Sequence, residues 1–553
     1  MNRFASQVTT DQKELSALSQ DESEEFHTLC DRFRHQLGTI SQQSVVFFVC
    51  TLFTLIGGYF FKIYVARMLG AEALGVYTIG MSVAAFFGLF STMGVPLAMV
   101  RYVPVYLARG DLNRLSVLIW LGAAVIFAAS LALGGVMVLT KDLVATRIFR
   151  NFQLLGVVPL LAAMIPLNGT MFIFGQIVTG FQKAEVSKKV NSLLVFPFMV
   201  LFTICFFNLG WGVSGYILAH LASTMIGIMI LGGVIWRLLP DESRVPSFNK
   251  KFIGRDVVTY TGSMIVWGAW GFLSGEADKL ILGAHLPTAQ VGVYGVAITT
   301  AGFIPILLSS VNPVFAPHIS RLYAEGQRML LQHLFHTLSK WILGFTLPLF
   351  CVMTLLSREI MSVFGLEFQL GWPVLVVVAL GQLVNAATGS VGYMLLMCGY
   401  ERAVVRTQMI SSVLTFMLYL VLIPPMGIVG AAIGQAVGII TANVINLLNV
   451  RQKLGLWPHN RGSARLIFPT LLTAFSLLIL DRIVGGHIHT LPAIGLSIVF
   501  GYGIFLCTIF FIGLNQEDWL FMEALCERFY ISGVAIRKVK AMSVGARGMR
   551  LWR

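Results

Sequence analysis

Charged residues are scarce in this chain: 12% of its 553 residues are Asp, Glu, Lys or Arg, whereas 57% are hydrophobic. A soluble protein of this length needs far more charge to cover its surface. The seven cysteines include no Cys-x-x-Cys pair, so they suggest neither a metal site nor a disulfide framework. The composition therefore excludes a soluble globular protein.

Three motifs for nucleotides and catalytic metals are also absent. The sequence has no Gly-x-x-x-x-Gly-Lys-Ser/Thr loop, no dinucleotide fingerprint and no His-Glu-x-x-His helix. ATP hydrolysis by this chain is therefore disfavoured, and we expect no cofactor and no metal. Any work that the protein does would come from a proton or sodium gradient, the membrane potential or a product gradient. The sequence does not distinguish among these energy sources.

Apolar segments of about 20 residues, the length that crosses a bilayer as a helix, recur along the whole chain. About fourteen can be distinguished, the first starting near Val45 and the last near Leu491. They are continuous rather than alternating, which indicates helices and not the strands of a barrel. The sequence therefore predicts an all-α integral membrane protein with about 14 transmembrane helices.

Most of the 39 lysines and arginines fall on one side of the predicted membrane when the spans alternate in direction. That side holds both termini, including the basic segment from Arg537 to Arg553. Positive residues are retained on the cytoplasmic side. We therefore expect a multi-pass protein of a bacterial or archaeal plasma membrane with both termini in the cytoplasm. The net charge of +14 then reflects this asymmetry and contact with anionic lipids, not nucleic acid.

Several residues recur at an offset of 217 positions, and these sparse matches keep one register over more than a hundred residues. The matched pairs include Lys62 and Lys279, Gly75-Val76-Tyr77 and Gly292-Val293-Tyr294, Pro96 and Pro313, and Asn168 and Asn385. Each repeat unit holds six predicted spans, an even number, so both units enter the membrane from the same side. The repeat is therefore parallel, and its two halves are expected to move against each other around a central site.

This repeat divides the chain into six predicted regions. They are a cytoplasmic N-terminal tail (1–43), an N-terminal six-helix bundle (44–237), a cytoplasmic linker (238–256), a C-terminal six-helix bundle (257–450), two additional transmembrane helices (451–513) and a basic cytoplasmic tail (514–553).

The segments that precede the two Gly-Val-Tyr triplets resemble a known family. They are Ala66-Arg67-Met68-Leu69-Gly70 and Asp278-Lys279-Leu280-Ile281-Leu282-Gly283. Their order and spacing are similar to those of polysaccharide-transporter-type flippases, which include the O-antigen flippases. These belong to the superfamily that also holds multidrug and toxin extrusion proteins and lipid II flippases. The resemblance covers about residues 44–513.

The resemblance implies two six-helix bundles in a V, with a central cavity between them that opens to either face in turn. It also implies a polyprenyl-pyrophosphate-linked oligosaccharide as cargo for surface polysaccharide synthesis at the cell inner membrane. The expected partners are this cargo, membrane lipids, a glycan polymerase and glycosyltransferases.

Cations within or beside the apolar spans are the first candidate site residues, because a pyrophosphate must be compensated in the membrane. Lys62, Arg67 and Lys279 are predicted to line the cavity and attract the pyrophosphate; the alternative is that they extend to the outer interface. Arg101, at the inner end of the second span, is interpreted as a phosphate contact at the inner gate or as a positive-inside anchor.

Two carboxylates in the seventh span are the second group of candidates. Glu276 and Asp278 are interpreted as sites for a coupling ion, either proton or sodium, or as structural charges. Glu276 and Lys279 are three residues apart and share a helix face, so we predict that they pair. The amides of Asn168 and Asn385 are interpreted as cavity groups or as bridges between helices.

Two other functions compete with the flippase. An ion-coupled multidrug antiporter that exports cations needs acidic residues in its cavity, but the first half has none inside its spans, whereas Lys62 is present there. A membrane-bound polymerase or ligase needs a sizeable outer loop to hold acceptor sugar, and the chain has none. The sequence therefore favours an anionic cargo.

Overall fold

The computed structural model describes residues 20–244, 254–460, 462–484 and 490–512. All regular secondary structure in these ranges is helical, so the prediction of an all-α protein is confirmed. The first part of the predicted N-terminal tail (1–19), the middle of the linker (245–253) and the basic C-terminal tail lie outside the described residues. The predicted region boundaries stay predictions.

Besides a π-helical turn (Leu143–Ile148) and a 3-10 turn (Asp241–Ser243), the described residues of the first half form six helices. They are α1 (Gln20–Thr92), α2 (Val95–Ala108), α3 (Leu112–Leu139), α4 (Phe152–Gly180), α5 (Ala184–Asn208) and α6 (Gly212–Leu238). Helix α1 therefore begins within the predicted tail, well before the expected start of the first span.

The described residues of the second half form nine α-helices before Ile467, and several of these are short because some spans are broken. They are α7 (Arg255–Gly275), α8 (Ala277–His285), α9 (Thr288–Ala301), α10 (Ile306–Ala324), α11 (Arg328–Leu355), α12 (Ser357–Ser362), α13 (Trp372–Thr388), α14 (Val391–Met397) and α15 (Glu401–Leu454). Two further helices, α16 (Ile467–Val484) and α17 (Thr490–Ile512), follow them.

Ten helices of the described chain are long and apolar enough to cross a membrane, or up to eleven if the bent pair α9 and α10 is one span. Helix α1, with an apolar stretch of 44 residues, and helix α15, with 54, are far longer than the roughly 20 residues that one crossing needs. The chain is thus a multi-pass membrane protein, and the figure of fourteen spans stays a prediction.

Glycines break both of these long helices. Gly70 in α1 has φ 77° and Gly427 in α15 has φ 60°, in the left-handed region that favours glycine. The break at Gly70 leaves the amide of Ala71 without a helical partner, and a carboxylate oxygen of Glu367 accepts its hydrogen bond at 2.7 Å. We call residues 20–69 and 71–92 the first and second arms of α1.

Polar side chains cap helices of the first half. Asp111 accepts a hydrogen bond from the amide of Arg114 at the start of α3, at 3.1 Å. Asn151 accepts one from the amide of Gln153 at the start of α4, at 2.8 Å. Such caps satisfy amides that lack a partner in the first turn, so they fix where these helices begin.

The largest cluster of buried apolar side chains spans both halves. Val76 and Ile79 in the second arm of α1 belong to the same cluster as Leu282 in α8 and Val293 in α9. Helix α17 packs against α11, where the Tyr502 hydroxyl donates to the carbonyl of Phe345 at 2.8 Å. The additional helices are therefore attached to the second half.

The backbones of the two halves approach each other closely where the second arm of α1 meets α9. A Cβ on Gly75 would lie 1.8 Å from the carbonyl oxygen of Thr288, and one on Gly292 would lie 2.1 Å from that of Ala71. No side chain fits at either position. Gly75 and Gly292 are a pair related by the 217-residue offset, and we call this the Gly75–Gly292 contact.

Replacing Gly75 with Ala should force α1 and α9 apart, because the new methyl group would overlap the Thr288 carbonyl. Spin labels at the exposed positions Met68 and Leu366 would report the separation of the two halves at this end. We expect the Gly75→Ala variant to show a longer distance distribution than the parent, in a background without native cysteines.

The matched control is Gly58→Ala in the same helix, since a Cβ there meets no atom within 4 Å. It should leave the distance distribution unchanged. Equal distributions for the parent and Gly75→Ala would show that this contact does not hold the halves together.

Candidate functional site

Lys62 connects the two halves of the protein. It lies in the first arm of α1, and its ammonium donates to the carbonyl of Gly295 in α9 at 3.1 Å and to the hydroxyl of Thr299. The side chain is half-buried. An ammonium at this depth needs such acceptors, because removing it from water without partners is costly. Lys62 is therefore held by neutral oxygens of the opposite half.

Lys279 lies close enough to Lys62 for the two positive charges to interact. Its ammonium is 2.8 Å from a carboxylate oxygen of Glu276, so the structure contains the ion pair that the spacing suggests. The same oxygen accepts a hydrogen bond from the hydroxyl of Ser82, in the second arm of α1, at 2.9 Å. Glu276 thus binds both the lysine of its own half and a helix of the other half.

These contacts form one group at the junction of α1, α8 and α9, which we call the lysine cluster. Its members are Lys62, Ser82, Glu276, Lys279 and Thr299. The cluster contains two ammonium groups and one carboxylate, which pairs with Lys279, so it has an excess of positive charge. It is suited to an anionic group that can replace a neutral oxygen at an ammonium.

Asp278 points away from this cluster and into the second half. Its side chain is buried, with 1% exposure, and it accepts a hydrogen bond from the Tyr294 hydroxyl at 2.7 Å. The backbone amide of Lys279 donates to its other oxygen at 2.8 Å. Asp278 and Lys279 are neighbours in sequence, yet a helix directs adjacent side chains about 100° apart. The two carboxylates of this span therefore have different surroundings.

Arg67 occupies a separate position, near the break in α1. It is exposed, and its guanidinium donates to the carbonyl of Val363 in the second half at 2.7 Å. Glu367, four residues later, accepts from the Ala71 amide. The loop between α12 and α13 therefore holds the α1 break from two sides.

Arg101 lies in α2, beyond the end of α1, and is exposed. Its guanidinium stacks 4.7 Å from the ring centre of Tyr260 in α7 and 5.5 Å from that of Tyr102. Such cation–π contacts stabilise an exposed pair by about 0.5–1 kcal/mol. The structure thus places Arg101 in a contact between the halves and away from the lysine cluster in the fold.

The two repeated asparagines have different surroundings. Asn385 donates to Gln382 of its own helix at 3.1 Å. Asn168 lines a cleft of about 480 Å³ between α4 and α5, together with Gln176 and Lys188. Among the described residues, no group of three or more His, Cys, Asp or Glu could hold a metal ion.

Sequence reasoning missed several residues of these contacts. Thr299 is an unremarkable threonine in an apolar helix, and only its position beside Lys62 makes it part of the cluster. Glu367 could have been found, since it is an acidic residue in a short connection between two apolar segments. Tyr294 was recognised as part of the repeat but not as the partner of Asp278.

Comparison with known proteins identifies the family of this chain. The polysaccharide biosynthesis protein family matches residues 40–323, about half of the chain. An uncharacterised membrane protein of Methanocaldococcus jannaschii is 25% identical over 400 residues, covering 68% of this chain and 78% of that protein. A probable low-salt glycan biosynthesis flippase of Haloferax volcanii is 24% identical over 245 residues, covering 43% of this chain and 51% of that protein.

Solved structures share the fold. The lipid II flippase MurJ, in an inward closed conformation, matches with a TM-score of 0.68 and 14% identity over 84% of this chain and 98% of that one. An inward-facing multidrug resistance MATE family transporter of the MOP superfamily matches with a TM-score of 0.60 and 15% identity, over 74% of this chain and 98% of that one. The match over residues 40–323 shows that this multi-pass membrane protein belongs to the polysaccharide biosynthesis protein family.

Proposed function

We propose that this protein moves a polyprenyl-pyrophosphate-linked oligosaccharide from the cytoplasmic to the outer leaflet of the plasma membrane, for surface polysaccharide synthesis. The observation that carries the proposal is the lysine cluster. Two lysines related by the repeat lie near each other where the two halves meet, and Lys62 is bound there only to neutral oxygens among its described contacts.

The main obstacle to moving such a cargo is its pyrophosphate. A charged group that enters the membrane without compensation is very unfavourable, whereas the polyprenyl chain can stay in the lipid. Ammonium groups at the junction between the halves would compensate the charge of the pyrophosphate while it is part-way across the membrane. The excess of positive charge in the cluster favours an anionic cargo over a cationic one.

Cargo binding can be coupled to movement through Lys62. A phosphate oxygen accepts a charge-assisted hydrogen bond, which is stronger than a bond to the neutral Gly295 carbonyl or Thr299 hydroxyl. When phosphate replaces these acceptors, the link between α1 and α9 is lost. A ligand shifts a conformational equilibrium by its difference in affinity for the two states. The cargo would therefore favour the state in which α1 and α9 have separated.

The orientation of this cycle follows from the cytoplasmic location that we propose for both termini. The break at Gly70 and the Gly75–Gly292 contact then lie toward the outer face. The contact would close that face in the conformation described here, and its separation would open it. Rocking of two half-bundles about a central site is the usual route to alternating access in transporters built from repeats.

The energy source that we propose is an ion gradient, with no cofactor and no ATP. Asp278 is the candidate coupling-ion site, because it is a buried carboxylate in the broken span formed by α7 and α8. Protonation would remove its charge and alter its bond with Tyr294, on the helix that also binds Lys62. Glu276 is the second candidate, through its bond with Lys279.

A second candidate function is an ion-coupled multidrug antiporter. The fold shared with the MATE transporter and the two carboxylates near α8 favour it. Lys62 and Lys279 disfavour it, because they would repel a cationic drug. For the flippase, the proposed partners are the lipid-linked glycan, membrane lipids, a glycan polymerase and glycosyltransferases, without nucleic acid.

Changing Lys62 and Lys279 together to Ala should abolish transport, because both ammonium groups that face the pyrophosphate are removed. The rate at which a fluorescent polyprenyl-pyrophosphate-linked oligosaccharide crosses reconstituted vesicles should fall at least about a hundredfold, given about 1.5–3 kcal/mol for each hydrogen bond to a charged group. Arg109→Ala, which removes an exposed cation at the end of α2, is the matched control and should keep the parental rate. Unimpaired crossing by the double variant at equal protein level would remove the lysines from the mechanism.

Changing Asp278 to Asn should alter the dependence of the transport rate on proton or sodium gradients, since the amide cannot bind and release a proton. The measurement is the initial rate in vesicles with each gradient imposed separately. Asp142→Asn, at an exposed position after α3, is the control and should keep the parental dependence of the transport rate on each gradient. If Asp278→Asn also preserves it, Asp278 has a structural role.

A further inference from the structure

The cleft between α4 and α5 has a polar lining that the proposed transport step does not use. We call it the amide cleft and define it by six of its lining residues: Asn168, Gln176, Thr179, Ser187, Lys188 and Asn191. Its volume of about 480 Å³ lies within the range of small-molecule sites in proteins, which is about 300–1,000 Å³. The cleft is thus large enough for a sugar-sized group.

Three side chains of the amide cleft make no hydrogen bond within the part of the chain that the structure describes. They are the amides of Asn168 and Gln176 and the hydroxyl of Ser187, all half-buried. The amide of Asn191 donates to the backbone carbonyl of Ser187 at 3.0 Å. Asn168 therefore does not bridge helices, which was the alternative that the sequence left open.

The position of these groups in the membrane makes their lack of partners informative. Asn168, Gln176 and Thr179 recur at helical spacing along one face of α4. At about 1.5 Å of rise per residue, Asn168 lies about 18 Å from Gly180, where α4 ends. Polar groups at that depth are unfavourable against lipid unless something satisfies them. The amide cleft is therefore a place for water or for a polar ligand.

The chemistry of the lining favours sugar hydroxyls. Each amide offers both donors and an acceptor, and a hydroxyl can donate and accept, so amides and hydroxyls are complementary to a polyhydroxylated ring. The exposed ring of Phe172 adds an apolar surface at the same cleft, suited to the C–H face of a sugar. A phosphate alone would use donors only and would leave the amide oxygens without a partner.

The amide cleft also lies beside the helix that carries Lys62. The start of α5, from Ala184 to Lys189, packs against α1. We propose that the amide cleft binds sugar residues of the cargo while the lysine cluster binds its pyrophosphate, an inference that rests on the proposed function. The sugar site is confined to the first half, since Asn385, the repeat partner of Asn168, is bonded to Gln382.

The test compares two probes that differ only in sugar. The full-length protein in nanodiscs is titrated with a polyprenyl pyrophosphate that carries a disaccharide and with the same lipid pyrophosphate without sugar. Asn168→Leu combined with Gln176→Met replaces both amides with apolar side chains of similar shape, which suits a membrane helix. The double variant should bind the sugar-bearing probe about tenfold more weakly, and its Kd for the bare lipid should not change.

Asn208→Leu, an exposed amide at the other end of α5, is the matched control and should leave both Kd values unchanged. Thr179→Val is a second variant that perturbs the cleft less. It should weaken binding of the sugar-bearing probe by less than tenfold and leave the Kd for the bare lipid unchanged. If the double variant binds both probes more weakly by the same factor, or binds both as the parent does, the amide cleft is not a sugar site.

The outcomes for the unaltered protein separate the two proposals. If it binds both probes with the same affinity, the sugar site fails and the phosphate site stands. If it binds neither probe, the proposed function fails, and the sugar site fails with it.

Discussion

The close backbone approach of α1 and α9 is the constraint on which the junction between the halves depends. Without side chains at Gly75 and Gly292, the two helices come close enough for Lys62 to reach the carbonyl of Gly295. The same approach allows buried side chains of both halves to share one apolar cluster. A conformational change that separates the halves must therefore break a backbone contact, an apolar contact and a hydrogen-bonded ammonium together.

Three charged side chains at this junction bind groups of the opposite half. Lys62 is held by α9, Glu276 binds Ser82 of α1, and Glu367 accepts from the amide of Ala71. In a membrane, an ionised group stays at depth only where such partners or water are available. Contacts that satisfy these charges therefore also hold the halves together, and the proposed anionic cargo would weaken them by competing for the same ammonium. This double role is the physical basis of the proposed coupling.

The two halves use repeated residues differently. Lys279 pairs with a carboxylate of its own half, whereas Lys62 reaches across to the other half. Asn385 bonds within its helix, whereas Asn168 lines the amide cleft. The glycines at 75 and 292 alone play matching roles among these pairs, because they meet each other. Residues that match at the 217-residue offset therefore have different surroundings, and these surroundings give the two copies different chemistry.

The sequence by itself determined the all-α membrane class and the family, and it pointed to Lys62, Glu276 and Lys279 as charges within apolar spans, because apolar length, charge position and residue identity are local properties. The spacing of Glu276 and Lys279 also predicted their pair, since a helix fixes that geometry. Only the tertiary structure decided that Lys62 binds Gly295 and Thr299, that Asp278 binds Tyr294, and that the Asn168 amide lines a cleft without a hydrogen bond to any described residue. Those outcomes depend on how helices distant in sequence pack against each other, and no local pattern encodes that packing.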